Sequence, residues 1–156
     1  MRRGGFNASK AQRGLAMMEL VITLPLLALL MLAFGEFGRM LFQYNSLMQA
    51  SRDAGRFVAS QAWNPTLGKL DLNATLLSQT RNVAVYGVPA NPNGYPSVVP
   101  GLTTGNVTVA AVGTEHVQVR IQYTFVPVIG SALPALYGSR TPLGLTLNST
   151  VVMRAL

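Results

Sequence analysis

The sequence predicts an α+β protein with one long N-terminal helix, a second short helix and a small antiparallel sheet of about three strands. Two observations carry this prediction. Helical periodicity runs without a break from residue 15 to residue 62, and apolar and polar residues alternate along three segments near the C-terminus. We expect four regions, which are a basic leader at 1–14, an apolar helix at 15–35, its amphipathic extension at 36–62, and an α+β head at 63–156.

The distribution of charge predicts how the chain is oriented. Four basic residues precede the apolar helix with no acidic residue among them, namely Arg2, Arg3, Lys10 and Arg13. Such a bias places the N-terminus in the cytoplasm and the remainder across the membrane, as a single-pass protein. Removing the leader leaves eight basic and five acidic residues, a net charge of +3. No basic cluster with interleaved aromatic residues occurs there, so the sequence does not favour nucleic-acid binding.

The apolar region at 15–35 has the length of a membrane span. Its 21 residues form a helix of about 31 Å at ~1.5 Å per residue, close to the hydrocarbon thickness of a lipid bilayer. The alternative is a secretory signal peptide cut near residues 33–35. Glu19 within the apolar run and helical periodicity beyond Gly35 argue against that alternative.

Pro25 lies inside this helix, where it removes one backbone hydrogen bond. Neighbouring helices or the hydroxyl of Thr23 are expected to compensate. The softened turn either helps the helix to leave the bilayer for a filament or is an ordinary membrane-helix kink.

Gly14, Leu15 and Glu19 together suggest a processing site. A small residue follows the basic leader, and a carboxylate occupies the fifth position counted from Leu15. A cut between Gly14 and Leu15 would create an α-amino group that pairs with Glu19 of the same or a neighbouring chain. Such a pair would relieve both charges in a medium of low dielectric constant and set the axial register between subunits.

The amphipathic extension places two oppositely charged pairs three residues apart. Glu36 and Arg39 can pair on one helix face, as can Asp53 and Arg56. Both can be exposed ion pairs that contribute under about 1 kcal/mol each to stability. For Glu36 and Arg39 the alternative is a contact with a neighbouring subunit at the point where the helix leaves the membrane. The apolar stripe of this region comprises Phe37, Met40, Leu41, Tyr44, Leu47, Met48, Ala54 and Val58. Arg39, Gln43, Ser46, Arg52, Asp53 and Arg56 fall largely off the stripe.

The elements of the head are predicted from its Pro- and Gly-rich segments and from the alternation of apolar and polar residues. A short helix is expected over 71–86, and a loop rich in Pro and Gly over 90–105. Strands are expected over 107–111, 117–125 and 145–153, with a loop at 127–142. The apolar face of the sheet is expected to cover the outer half of the long helix.

The sequence offers no catalytic constellation. His116 is the only histidine and falls on the polar face of its strand. The chain has no cysteine, so a disulfide framework, a thiol nucleophile and a cysteine metal site are all excluded. No glycine-rich loop with nucleotide-binding spacing occurs. We expect no catalytic residue, no metal site and no cofactor, and we therefore expect that the protein is not an enzyme.

Several motifs resemble those of the TadE family, the minor pilin-like (pseudopilin) proteins of the Tad or Flp pilus system. They are the Gly14 to Glu19 spacing, LPL at 24–26, EFGR at 36–39, and ASRDAGRFVA at 50–59 with its charged residues Arg52, Asp53 and Arg56. The resemblance implies a pilin-like fold, processing by a prepilin peptidase, and residence in the bacterial inner membrane with a periplasmic or extracellular head. It also implies a role in Flp pilus initiation or assembly and in adherence. The implied partners are another minor pilin, the major Flp pilin, the inner-membrane assembly platform and the lipid bilayer.

Three other functions fit parts of the sequence. The first is a membrane-anchored accessory or binding protein of the secretion apparatus that never enters the filament. The second is a secreted enzyme behind a signal peptide. The third, a membrane-disrupting or channel peptide, would need polar residues along the apolar helix, where residues 20–34 offer only Thr23.

Overall fold

The computed structural model describes residues 8–128, 132–133, 141–142 and 144–156, with side-chain surroundings described for 16–128 and 144–156. The chain divides into two compact units, Met1–Gly38 and Arg39–Leu156. Below they are called the first and the second unit.

The long N-terminal helix is confirmed. Helix α1 comprises Ala8–Ala59, 52 residues with Pro25 inside it. It therefore includes part of the predicted leader, and it ends three residues before the predicted end at residue 62. The last helical hydrogen bond runs from the Ala62 N–H to the Val58 carbonyl at 2.9 Å, and the chain is extended from Trp63 onwards.

A short hairpin, which the sequence analysis did not predict, follows α1. Strand β1 (Trp63–Asn64) pairs antiparallel with strand β2 (Lys69–Leu70). The Asn64 side chain closes the turn by accepting hydrogen bonds from the backbone N–H groups of Thr66 and Leu67 at 3.0 and 3.1 Å. Asn and Gly are the residues that such local turns favour, but two-residue strands leave no periodicity to detect.

Helix α2 comprises Ala74–Tyr86 and confirms the predicted second helix. It begins three residues later than predicted because Asn73 caps it: the Asn73 side chain accepts a hydrogen bond from the Leu76 N–H at 2.8 Å. It ends at Gly87, which adopts a left-handed conformation (φ 75°) that glycine takes without strain. The irregular segment that follows closes with a 3₁₀ turn at Thr104–Asn106.

The main sheet has the three antiparallel strands that the sequence predicts, with β4 in the centre. Strand β3 is Val107–Val112 and β4 is His116–Thr124. Two very short strands, β5 (Ala132–Leu133) and β6 (Thr141–Pro142), pair with each other inside the segment predicted as a loop, which corrects that prediction. Strand β7 is Thr146–Arg154, and the sheet order is β3-β4-β7.

Alternation along β4 separates the buried face of the sheet from the exposed one. Val117, Val119 and Ile121 are fully buried, while Arg120 and Gln122 between and beside them are exposed. The register places Ile121 opposite Val107 on β3 and Ser149 on β7, so one core covers all three strands. His116 is exposed at the end of β4, as its predicted position on the polar face requires.

Candidate functional site

The helical part of the first unit presents an apolar surface that its own chain does not cover. Every large apolar side chain between Met17 and Phe34 is at least 52% exposed. The helix contains an uninterrupted stretch with a mean hydropathy of 2.3, which makes it a candidate membrane span by length and composition. Apolar area of this extent is costly in water, so this surface requires lipid or other apolar helices around it.

Glu19 is an exposed acidic side chain within this surface. One turn later, the Thr23 hydroxyl donates hydrogen bonds to the carbonyls of Glu19 and Leu20, at 2.9 and 3.4 Å. The hydroxyl is therefore committed to the turn before Pro25 and does not supply the bond that the Val21 carbonyl loses to proline. Of the two expected sources of compensation, Thr23 bonds other carbonyls, while the contribution of neighbouring helices stays a prediction; α1 continues through Pro25.

The predicted cut between Gly14 and Leu15 falls inside α1. The backbone of both residues is helical, and their side chains lie outside the described part of the chain.

Arg39 fastens the start of the second unit to the end of β4. Its guanidinium carbon lies 4.8 Å from the centre of the Phe125 ring, and its Nη2 donates a hydrogen bond to the Val126 carbonyl. Phe125 is buried, so the cation lies on an aromatic face that packs against the core. The predicted pairing of Arg39 with Glu36 stays a prediction. The contact with β4 joins residues 87 positions apart, and no local pattern in the sequence could have indicated it.

Tyr123 lies two residues before Phe125 and is part of the same packing. Its hydroxyl donates a hydrogen bond to the Pro100 carbonyl at 2.8 Å. Burial raises the pKa of this hydroxyl, and the charge of Arg39 lowers it by a smaller amount. The group therefore stays protonated at neutral pH and holds the 90–105 loop against the sheet.

The ASRDAGRFVA segment at 50–59 has one buried face and one exposed face. Its small side chains are buried against the core, namely Ala50, Ser51, Ala54, Gly55 and Ala59. A Cβ atom at Gly55 would lie 3.3 Å from Met153 Sδ and from Val151 Cγ1, so these side chains would have to shift by a few tenths of an ångström to admit it. Arg52, Asp53 and Arg56 are all exposed. The small residues thus position the sheet, and the charged ones remain available to solvent or a partner.

The charged residues of this segment point into different grooves. Arg52 lines a groove of about 360 Å³ together with Tyr44, Met48 and residues 148–151 of β7. Asp53 lines a separate groove of about 270 Å³ on the side of α2. Within the described part of the chain Asp53 and Arg56 form no ion pair with each other, in contrast to Glu115 and Arg154, which pair at 3.0 Å.

The buried stripe of α1 differs from the predicted one. Gln43, expected off the stripe, is buried, and its Oε1 atom has no hydrogen-bond partner among the described residues. Leu41 and Tyr44, expected on the stripe, are exposed. The stripe that packs against the core runs through Gln43, Leu47, Ala50, Ala54 and Val58. Leu47, Ala54 and Val58 confirm part of the predicted stripe, whereas the burial of Gln43 could not be predicted from hydrophobicity because its side chain is polar.

Among the described residues no group of three histidine, cysteine or acidic side chains could hold a metal ion. A cleft of about 330 Å³ beside the C-terminus is lined by Trp63 and the Glu115–Arg154 ion pair. Both side chains of this ion pair are exposed, at 67% for Arg154 and 46% for Glu115.

We expect a specific loss of stability when the hydrogen bond between α1 and β7 is removed. Ser51 Oγ donates to the Met48 carbonyl at 2.9 Å and lies 2.7 Å from Ser149 Oγ, both hydroxyls being buried. Ser149→Ala should lower the free energy of unfolding by about 0.5–1.5 kcal/mol, the usual value of one hydrogen bond. Trp63 is the only tryptophan, so its fluorescence in the detergent-solubilised full chain reports the transition.

Thr150→Ala is the matched control for that substitution. Thr150 is the next residue of the same strand and is exposed, so its replacement should leave the transition nearly unchanged. Equal stability of the two variants would show that the Ser51–Ser149 bond contributes nothing.

The comparison with known families agrees with the resemblance drawn from the motifs. Residues 14–56 match the family model described as TadE-like protein. Comparisons with curated proteins and with solved structures give no match. The matched segment begins at Gly14 and ends at Arg56, so it includes Glu19, Pro25 and Arg39 and stops before the head. The segment 14–56 is therefore similar to TadE-like proteins, and most of the candidate membrane span of α1 lies within it.

Proposed function

We propose that this chain is a minor pilin-like subunit that supports initiation or assembly of Tad (Flp) pili and, through them, surface adherence. The observation that carries the proposal is the exposed apolar part of α1, which bears Glu19 near its start and lies in a TadE-like segment whose first residue is Gly14. A helix with this surface can lie in a bilayer or among other apolar helices, which are the two environments that a pilin subunit occupies.

A prepilin peptidase would cut the precursor between Gly14 and Leu15 on the cytoplasmic side of the inner membrane. The basic leader favours that orientation, with the second unit on the periplasmic or extracellular side. In this proposal the chain is the substrate of an enzyme and is not itself one.

Glu19 would then pair with the new amino group of Leu15 on a neighbouring subunit. An acidic side chain inside a membrane-spanning helix is costly unless it is paired, so a cationic partner is strongly favoured. The partners that offer such helices are another minor pilin, the major Flp pilin and the inner-membrane assembly platform. The Val21 carbonyl, to which Pro25 has no N–H to donate, would give a second polar contact for the same helices.

The proposal is tested by mass spectrometry of the mature N-terminus, with the protein isolated from cells that assemble Tad pili. We expect the chain to begin at Leu15 and to appear in sheared pili. A chain that begins at Met1 in cells with an active peptidase would overturn the proposal. A chain that begins at Leu15 but stays in the membrane when pili are sheared would favour the accessory protein that does not enter the filament.

We expect Glu19→Ala to separate membrane insertion from assembly. Insertion depends on the apolar surface, which this change extends, so the membrane fraction should hold as much protein as in wild type. Breaking a buried ion pair costs about 3–5 kcal/mol of binding free energy. Since about 1.4 kcal/mol corresponds to a tenfold change in the binding constant, capture of the partner subunit should fall by at least about tenfold. Cross-linking and co-purification with the other pilins measure this fall.

Glu115→Gln provides the control, because it also removes one acidic side chain but lies just before β4 in the second unit. Normal piliation and normal partner capture with Glu19→Ala would exclude the pairing role of Glu19.

A further inference from the structure

Strand β7 forms one edge of the main sheet, and its outer side is unpaired. Its partner in the sheet is β4, and none of its backbone groups on the other side bonds a residue in the described part of the chain. An open edge offers a row of N–H and C=O groups to another chain, and natural sheets usually protect it with lysine, proline, a bulge or a very short strand. Strand β7 has nine residues in unbroken register and contains neither lysine nor proline. The edge is therefore suited to accept a further strand.

Hydrogen bonds at the two ends of the β4-β7 pair show which residues of β7 face outward. The Phe125 N–H donates to the Leu145 carbonyl, and the Ala155 N–H donates to the Glu115 carbonyl, both at 2.8 Å. In an antiparallel pair, residues bonded in this way alternate with residues whose backbone groups point away from the partner strand. The backbone groups that point outward therefore belong to the even-numbered residues, which are Thr146, Asn148, Thr150, Val152 and Arg154.

The outward edge of β7 borders the groove that Arg52 lines. Residues 148–151 form the strand wall of this groove, and α1 forms the other wall. Both elements run in the same direction along it, because Ser51 contacts Ser149 and, further along both, the Ala59 carbonyl accepts a hydrogen bond from the Leu156 N–H at 3.0 Å. A strand added to β7 would therefore lie along α1 and turn every second side chain towards the helix.

The helix wall of the groove has an apolar half and a basic half. Tyr44 and Met48 line the groove, and Arg52 follows one turn later. Arg56 lies a further turn along the same helix face and is exposed. These side chains are about 6 Å apart along the helix, and alternate residues of a strand are about 6.6–6.8 Å apart. Successive inward side chains of an added strand would thus meet the two apolar residues and then the two arginines.

Charge favours an acidic segment at the basic half. Within the described part of the chain no carboxylate lines this groove, and neither Arg52 nor Arg56 forms an ion pair. Asp53 lines the separate groove on the side of α2, and Glu115 pairs with Arg154. A second copy of β7 would bring no acidic side chain, since that strand contains none. The groove is therefore complementary to a different, acidic strand.

We propose that the edge of β7 binds an extended segment of a partner protein as a fourth strand of the main sheet. Apolar side chains of that segment pack against Tyr44 and Met48, and a carboxylate meets Arg52 and Arg56. Backbone hydrogen bonds to β7 supply affinity, and the helix wall supplies selectivity. The groove lies within the second unit, so this inference depends neither on the membrane anchor nor on cleavage of the leader.

Synthetic peptides test this proposal on the full chain in detergent. The first peptide alternates threonine with inward-facing residues, which are leucine in one half and glutamate in the other, and it carries a dye for fluorescence anisotropy. Both orders of the two halves are used, since a strand can pair in either direction. The peptide should bind, and its analogue with lysine in place of glutamate should bind at least about threefold more weakly. An analogue N-methylated at the nitrogens that face β7 should not bind, because it keeps the side chains but lacks the donors.

Charge reversal in the groove provides the matching test on the protein. Arg52→Glu should weaken binding of the glutamate peptide and strengthen binding of the lysine peptide. Arg120→Glu is the control, because Arg120 is also exposed but lies on the central strand β4 and does not line the groove. It should leave the preference for glutamate unchanged.

Thr150→Pro tests the edge itself. It removes one outward N–H and none of the hydrogen bonds to β4, so it should abolish peptide binding. Ala111→Pro is the control, since by the same alternation its N–H points outward from the other edge strand, β3. If Thr150→Pro fails to fold, as judged by Trp63 fluorescence, the N-methylated peptide tests the same hydrogen bonds with the protein unaltered.

Four results would overturn the proposal. They are no binding of any peptide, equal binding of the glutamate and lysine peptides, binding of the N-methylated peptide, and unchanged binding to folded Thr150→Pro. The second-copy alternative has its own measurement, because the natural chain has no cysteine. A Thr150→Cys chain that forms a disulfide-linked dimer and binds no peptide would place a second copy at the edge, and would overturn the assignment to an acidic segment.

Discussion

Gly14→Trp is expected to abolish maturation of the chain. In the proposed reaction the residue before the cut must fit the peptidase with no side chain beyond hydrogen, and an indole at that position would prevent productive binding of the peptide bond. The variant should keep its first 14 residues, with their four basic side chains, and run as an unshifted precursor band. Intact-mass analysis of the membrane fraction gives the same answer independently of gel mobility.

The control for this change is Gly38→Trp. Gly38 lies in the same helix with nothing within 4 Å of an added Cβ atom, so it tests the effect of a tryptophan in α1 away from the cut. It should mature like wild type. Normal maturation of Gly14→Trp in a strain that processes the wild-type chain would refute the assignment of the cut to Gly14 and Leu15.

Patterns that repeat over many residues were sufficient to predict most of the fold. The nine residues of β4 alternate between buried and exposed positions, and α1 carries helical periodicity over dozens of residues. Each register error there would move several apolar side chains into water, so the sequence specifies these elements strongly. The hairpin of β1 and β2 has two residues a strand, and its stability comes from the Asn64 turn, which periodicity cannot indicate.

The candidate site also contains features that the sequence could predict and contacts that it could not. Gly14, Glu19 and the apolar run are contiguous in sequence, so their spacing could be interpreted without a structure. The role of Arg39 could not, because Phe125 and Val126 meet it only after the chain has folded back. The burial of Gln43 was missed for a related reason. Gln43 is polar, so a hydrophobicity pattern assigns it to the exposed face, whereas the folded chain buries it.

Gly55→Leu is expected to lower the stability of the second unit. An added Cβ atom would already lie 3.3 Å from Met153 Sδ and from Val151 Cγ1, and the rest of a leucine side chain has to displace β7. Overpacking of this kind costs about 1–3 kcal/mol, and here it opposes a gain of at most about 1 kcal/mol from replacing a helical glycine. Unfolding of the detergent-solubilised full chain, followed by Trp63 fluorescence, should occur at a clearly lower temperature.

Two further variants separate this clash from a general effect of leucine. Gly38→Leu makes the same change where a Cβ atom meets nothing, so it should keep or raise the stability. Met153→Ala vacates the space that the new leucine would take, so Gly55→Leu should cost less in that background than in wild type, a coupling that only residues in contact produce. If Gly55→Leu is as stable as wild type, or costs the same with and without Met153, β7 does not lie against Gly55, and the small residues at 50–59 do not determine how closely the sheet approaches the helix.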